Sequence, residues 1–419
     1  MFRSIWSISS LLSGMAVLLT GSGLLGILLG LRAAQDGFGN LAIGLVMSGF
    51  YVGYMLGAWV CPPLIVRVGH VRAFASFAAS AAALSLTYGM AVHPVVWGGL
   101  RVLNGLMIMG IYMVIESWLN ERARGPRRSR VFSIYMMSNL FAVSVGQYLI
   151  AVHGVDGLGS FALAAILFCL GLLPIALTPL RQPVPIKSPT LSLRKLFRAS
   201  RTGVAGAFGS GLALGAFWSL SAIYARALGL ENVQIAHFTA SAIVGGALMQ
   251  WPIGWVSDRR DRRLVMIWVA VAAALALIAL AVVDRVAGAS FGPAWYVPLS
   301  FAFGAFVFSI YGLAVTQTHE RVAAGEVLEA TKGLLLLHGI GAAIGPLVTG
   351  LMMHWLQARG FPLTIAGVMV LLAAYTLSRV RREPPVPAGA RGSFAPPEQS
   401  APIDVEIVPA SPAPDRRRS

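Results

Sequence analysis

The sequence predicts an all-α integral membrane protein of twelve transmembrane helices in two pseudo-symmetric six-helix bundles. Three observations lead there: a composition no soluble core could hide, twelve apolar runs of spanning length, and an uneven division of positive charge between loops. Of the 419 residues, 57% are hydrophobic and only 11% are charged, and the mean hydropathy is +0.75. A soluble domain of this size could not bury so much apolar surface.

A helix rises about 1.5 Å per residue, so about 20 apolar residues cross a bilayer. Runs of that length fall at 7–31, 41–66, 73–93, 95–118, 131–152, 160–180, 202–226, 234–256, 264–284, 294–318, 331–353 and 361–379. The first is read as a retained span. MFRSIWSISSLLSG has the positive residue and apolar run of a signal peptide, but the run is long and no small-residue cleavage site ends a short apolar core. Cys61 and Cys169 lie in the second and sixth runs and belong to no CxxC pair, and the seven histidines form no HExxH. The cysteines are therefore expected to be packing residues, with no disulfide, metal site or cofactor.

Between runs six and seven lies RQPVPIKSPTLSLRKLFRASR, a basic, proline-containing interruption. It sets the expected organisation: an N-terminal six-helix bundle at 1–180, a basic cytoplasmic linker at 181–201 and a C-terminal six-helix bundle at 202–382. The remainder, 383–419, is rich in Pro, Ala and Ser and ends in DRRRS, a composition that cannot bury a core, so a disordered cytoplasmic tail is expected.

The formal charge of +16 first suggests nucleic acid. Sorting the charges by loop removes that idea. With a cytoplasmic N-terminus, 27 of the 32 Lys and Arg fall on the cytoplasmic side, including ERARGPRRSR, DRRDRR, Arg321 and Lys332. Only Arg32, Arg226, Arg285 and Arg359 fall outside, and Arg101 lies within a span. This asymmetry is the positive-inside pattern of a bacterial inner-membrane protein with both termini in the cytoplasm.

Six spans and six spans suggest a duplicated bundle. A shift of 199 residues lays IYMVIESWLNER (111–122) on IYGLAVTQTHER (310–321), so that Ile111, Tyr112, Glu121 and Arg122 recur as Ile310, Tyr311, Glu320 and Arg321. In the same register Asn139 falls on His338 and Gly146 on Gly345.

Several motifs carry a resemblance. GWVSDRRDRR (254–263) resembles the G-x-x-x-D-R-x-G-R-R loop of the major facilitator superfamily, with Gly254, Asp258 and Arg259 matching and Asp261 at a usual glycine. The first-half copy, PLIVRVGHVRAF (63–74), keeps Arg67, Gly69 and Arg72 but has Val66 where the acid belongs. The resemblance implies a cytoplasmic gate, in which a carboxylate at a helix end bonds cations and helix N-termini across the half-bundles; the plain alternative is a solvated topogenic loop. Arg101, Asn104 and Gly105 resemble the superfamily's R-x-x-q-G motif. GIGAAIGPLVTG (339–350) resembles its GxxxGP signature, displaced to span eleven, where Gly341, Gly345, Pro346 and Gly350 suit close helix packing or a hinge. With MVIESWLN, IYMMSNLFAVSVGQYL and KGLLLLHGIGAAIGP added, the chain from about 5 to 380 looks like the YcaD-like branch of bacterial major facilitators.

Charged groups inside spans are costly and usually functional. Arg101, Asn104, Ile108, Tyr112 and Glu116 fall within about 60° of one helical face, the first and last about 22 Å apart along the axis. The resemblance, which implies a central path lined by spans one, four, seven and ten, points this stripe inward. Glu116 is a candidate proton carrier or, alternatively, a latch to an arginine of ERARGPRRSR. Arg101 lies too deep for snorkelling and is a candidate to hold substrate or modulate the proton. His338 is a candidate proton site or a bonded packing residue. Gln147, Gln250, Tyr311 and Gln317 are candidate polar liners, and Trp218 and Tyr224 candidate apolar contacts.

No Walker motif is present, and no nucleophile, base and orienting group assemble, so neither ATP-driven transport nor an enzyme is expected. The expected activity is alternating-access secondary transport, with proton-coupled export of a small amphiphile first and facilitated or symport uptake of a metabolite second. A receptor or assembly factor on the same scaffold is the alternative from another class. The expected partners are a small-molecule substrate, a coupling proton and the lipid bilayer, without nucleic acid, and the chain is expected to act as a monomer.

Overall fold

The computed structural model describes residues 2–122, 127–178, 193–287, 295–323 and 326–382. The helices in its first part are α1 (Phe2–Gln35), α2 (Asn40–Val68), α3 (His70–Met90), α4 (Pro94–Arg122), α5 (Arg127–Tyr148), α6 (Ile150–His153) and α7 (Gly159–Ala176). Then follow α8 (Leu193–Ala199), α9 (Arg201–Ala227), α10 (Asn232–Arg259), α11 (Arg262–Ala287), α12 (Tyr296–His319), α13 (Val327–Leu356) and α14 (Gly360–Val380). All but α6 and α8 are long enough to cross a bilayer, which gives the twelve expected helices.

Three local departures from the expected boundaries have physical causes. Span five breaks at Leu149, and its last turn, α6, ends at Gly154, whose φ of 69° is a left-handed conformation open to glycine. The short helix α8 falls inside the expected linker; directly after it the Ser200 side chain accepts a hydrogen bond from the Gly203 amide and caps α9. Helix α13 starts four residues before the expected span, so Lys332, at the very start of that span, lies beyond the first turn of the helix. The expected tail at 383–419 lies outside the described residues, as does most of the expected linker.

Ten segments among the described residues reach spanning length and hydropathy. The last, Glu329–Val380, holds both α13 and α14. Helix α10, which carries Gln234, His237 and Gln250, is not among them, yet it packs along α12 and reaches α5. Its polar side chains can be carried because neighbouring helices, not lipid, surround much of it. Outward surfaces are apolar: Trp251, Trp268 and Leu371 are all exposed.

Within each half, glycines let helix backbones meet. A Cβ on Gly105 of α4 would strike the Phe50 carbonyl of α2, and one on Gly304 of α12 would strike the Ala242 carbonyl of α10. A Cβ on Gly146 of α5 would strike the Thr20 carbonyl of α1, and one on Gly345 of α13 the Leu212 carbonyl of α9. Each pair is separated by 199 positions, the register of the sequence repeat, so the repeat is a repeat of helix contacts.

The halves are joined chiefly by α2 with α13, α5 with α10 and α1 with α9. Asn40 donates from Nδ2 to the Met353 carbonyl at 3.1 Å, and Gly44 sits against the Pro346 carbonyl. The Tyr148 and His237 rings lie 5.4 Å apart between α5 and α10. All of these contacts lie toward one end of the molecule, the end where α1 and α9 finish. The other end carries Arg67, Arg259, Arg262 and Arg379 and is called the basic end below.

Candidate functional site

Because the halves meet toward one end, a cavity of about 560 Å³ remains between them. Its wall is drawn from α1, α2, α4 and α5 on one side and α9, α10, α12 and α13 on the other. The expected lining helices, spans one, four, seven and ten, all contribute; spans two, five, eight and eleven do so as well.

Arg101 on α4 is 7% exposed and stands on this wall. Its guanidinium lies over the Phe50 ring, 4.8 Å from the centroid, and Nη2 contacts Met47 Sδ at 3.3 Å. Nε has no hydrogen-bond partner, and among the described residues no carboxylate pairs with Arg101. Along the same helix toward the basic end, Tyr112 meets Tyr54 edge-on with centroids 6.3 Å apart. Beyond it Glu116, also buried, accepts a hydrogen bond from the Tyr135 hydroxyl at 3.2 Å. The arginine side chains of ERARGPRRSR, and with them the expected latch from Glu116, lie outside what the structure describes.

Across the cavity, His338 Nδ1 lies 3.0 Å from Ser210 Oγ, and its ring is 4.6 Å from that of Tyr311. The repeat relates Tyr311 and His338 to Tyr112 and Asn139, and all four line the cavity. Neither amide atom of Asn139 has a hydrogen-bond partner. Gln147, whose Oε1 also lacks a partner, Gln250 and Trp218 line the cavity too.

Two expected liners lie elsewhere. Asn104 and Gln317 are buried but are not part of the wall. At about 100° per residue, the α4 residues that line the cavity, from Arg101 to Asn120, centre near Glu116, and Asn104 points about 120° away. Helix packing turns α4 further than the polar stripe alone indicates. Tyr224 packs in the core, stacked on Phe361 at 4.9 Å.

Sequence reasoning missed Tyr51, Tyr54 and Lys332 as wall residues. The tyrosines had no charge to mark them, and Lys332 was counted with the topogenic loops. Its place within α13, six residues before His338, was the available signal.

At the basic end the gate motif is a turn and a clasp. Gly69 joins α2 to α3 with φ 87°, while Arg67 and Arg72 are exposed. In the other half, Gly254 is buried in α10, and Arg259 lies over the Trp255 ring at 3.8 Å. Asp258 accepts from Arg262 Nη2 at 3.0 Å, while Arg262 Nε donates to Glu320 at 2.7 Å and Nη1 to Ser257 Oγ at 2.9 Å. These bonds tie α10, α11 and α12 together within one half. Arg262 and Glu320, which form its ion pair, were not singled out as site residues in the sequence, although Glu320 recurred in the repeat. In α13, Gly341 packs on the Phe208 carbonyl, Gly350 on the Asn40 carbonyl, and Pro346 stands inside the helix where Gly44 meets it.

A family model described as Major Facilitator Superfamily matches residues 11–335 and 205–413. A protein of Escherichia fergusonii named MFS-type transporter YcaD is 26% identical over 376 residues, spanning 88% of this chain and 95% of that one. The protein of the same name from an Escherichia coli strain is 28% identical over 353 residues, 82% of this chain and 88% of its own. Among solved structures, the nucleoside transporter NupG superposes with a TM-score of 0.71 at 16% identity, covering 90% of this chain and 99% of that one. A bacterial homologue of the human lysosomal transporter Spinster, inward-facing and occupied, superposes with a TM-score of 0.68 at 15% identity over 92% of this chain and 98% of that one. At these identities the two structures establish likeness of fold.

Proposed function

The chain belongs to the Major Facilitator Superfamily and is a multi-pass secondary transporter, and on that premise we propose that it works by alternating access, exporting a small amphiphile in exchange for a proton. The observation that carries this reading is the cavity itself: both halves supply its wall, and the helix pairs that join them lie toward one end. Rocking the halves about that cavity would close the basic end and part α2 from α13 and α5 from α10 at the other.

Residues 1–180 and 202–382 are the two moving halves in this reading, 181–201 is their linker and 383–419 is a tail. The distribution of basic residues supports a bacterial cytoplasmic membrane with the basic end and both termini in the cytoplasm. Glu116 is the coupling acid: it is buried on the cavity wall, and the hydroxyl of Tyr135 holds its carboxyl. A proton that enters at Glu116 as cargo leaves makes transport run outward down an inward proton gradient. Aromatic side chains with a few amides and hydroxyls on the wall suit an amphiphile.

Flux into inverted proteoliposomes under an imposed pH gradient tests the reading. The native chain is expected to accumulate cargo only with the gradient, and Glu116→Gln to exchange cargo without responding to it. Flux in the native chain that ignores the gradient would replace exchange by facilitated transport.

A further inference from the structure

We propose that the cargo is an organic monocarboxylate with a largely apolar body, its carboxylate seated on Arg101; this rests on reading the cavity as a substrate path. A guanidinium cannot shed its charge, and burying one without a counter-ion is costly. Here it is buried against a sulfur and an aromatic face, with Nε unbonded.

Among the described residues no acid pairs with Arg101, and Asp36 and Asp156, at the same end of the molecule, are held by Arg32 and Gln35. Helices α1, α2, α3, α5, α9 and α12 contain no Asp or Glu, and the acids of α10 and α13, Asp258 and Glu329, lie in the turns nearest the basic end. Glu116 is the one carboxylate on the cavity wall. It sits about 22 Å from Arg101 along α4, far beyond ion-pair reach. Nor does Arg101 reach water by snorkelling. It lies about 10 Å inside α4 and folds onto Phe50 rather than extending along the helix. The missing counter-ion is therefore supplied by the cargo.

The class follows from charge and shape. A guanidinium fork matches a carboxylate in two parallel hydrogen bonds. Among the described residues the other Lys or Arg on the wall is Lys332, which stands on α13 near the basic end. One deep cation neutralises a monoanion and would leave a dianion half uncompensated. Phe50, Tyr51, Tyr54, Tyr112 and Trp218 supply an aromatic enclosure for the body, while the unbonded amides of Asn139 and Gln147 can bond a polar substituent.

The test is binding of four probes to the purified full chain in detergent: naphthylacetate, naphthylacetamide, naphthylethylamine and naphthyl phosphate. Naphthylacetate is expected to bind at least about tenfold more tightly than the amide or the amine, and more tightly than the phosphate. Arg101→Gln should abolish the preference for carboxylate over amide, while Arg101→Lys should keep part of the preference. Equal thermal unfolding of the two variants shows that loss of preference is not loss of fold; if Arg101→Gln fails to fold, the same comparison is read from Arg101→Lys against the native chain.

A preference for amide, amine or phosphate overturns the proposal. So does a carboxylate preference that survives Arg101→Gln, or no carboxylate binding at millimolar concentration. Binding in detergent needs neither gradient nor alternation. Carboxylate binding without gradient-driven flux therefore rejects proton exchange and keeps the cargo class, whereas gradient-driven flux of the amine alone does the reverse.

Discussion

Arg262 and Glu320 form an ion pair of 2.7 Å between α11 and α12, with side chains 0% and 3% exposed. Removing one partner leaves the other charge buried. Glu320→Ala is expected to cost about 3 kcal/mol, near the lower bound for breaking a buried pair because Ser257 and Asp258 still hold Arg262. Thermal unfolding in detergent measures it, with the exposed Arg260→Ala as the comparison. Equal melting temperatures for the two variants would remove the clasp from the account.

Gly146→Ala and Gly345→Ala should destabilise by similar amounts, about 1–3 kcal/mol each, since both Cβ atoms would meet a carbonyl of the facing helix. Gly26→Ala, whose Cβ would meet nothing within 4 Å, should be neutral or slightly stabilising. The same unfolding experiment separates them.

Cysteines placed at Tyr148 and His237, whose rings are 5.4 Å apart between the halves, should be joined by a short reducible thiol cross-linker. In a chain carrying Cys169→Ala, the cross-link is expected to remove most of the flux and reduction to restore it. A linked protein that transports at full rate would mean that this end need not open.

Impermeant maleimide should label Asp36→Cys in intact cells and Arg260→Cys only in inverted vesicles, because the two exposed positions lie at opposite ends of the molecule. The reverse pattern would invert the proposed orientation.

The helices were readable because a bilayer imposes one length and one solvent on each, so apolar runs mark them whatever they pack against. The repeat was readable where it had to be kept, at Gly146 and Gly345, since no larger residue fits there. Which side of each helix meets the cavity was only partly readable. Arg101, Tyr112 and Glu116 line it, but Asn104 of the same stripe does not, because the rotation of α4 is set by its packing on α2 and α3. Lys332 shows a second limit: a cation near a span end has the same appearance in sequence whether it fixes topology or lines a cavity. Helix α8 was hidden because its seven residues lie inside a stretch read for charge alone.

The clasp around Arg262 is built on Asp258, whereas in the first half Val66 stands at the position of that acid and Arg67 and Arg72 are exposed. Two bundles with the same helix count therefore carry different side chains at one motif position of the basic end. The second half is braced across three helices there, which suits it to turn as a unit. A half braced in this way would carry Trp218, Tyr311 and His338 past the cargo as one rigid face.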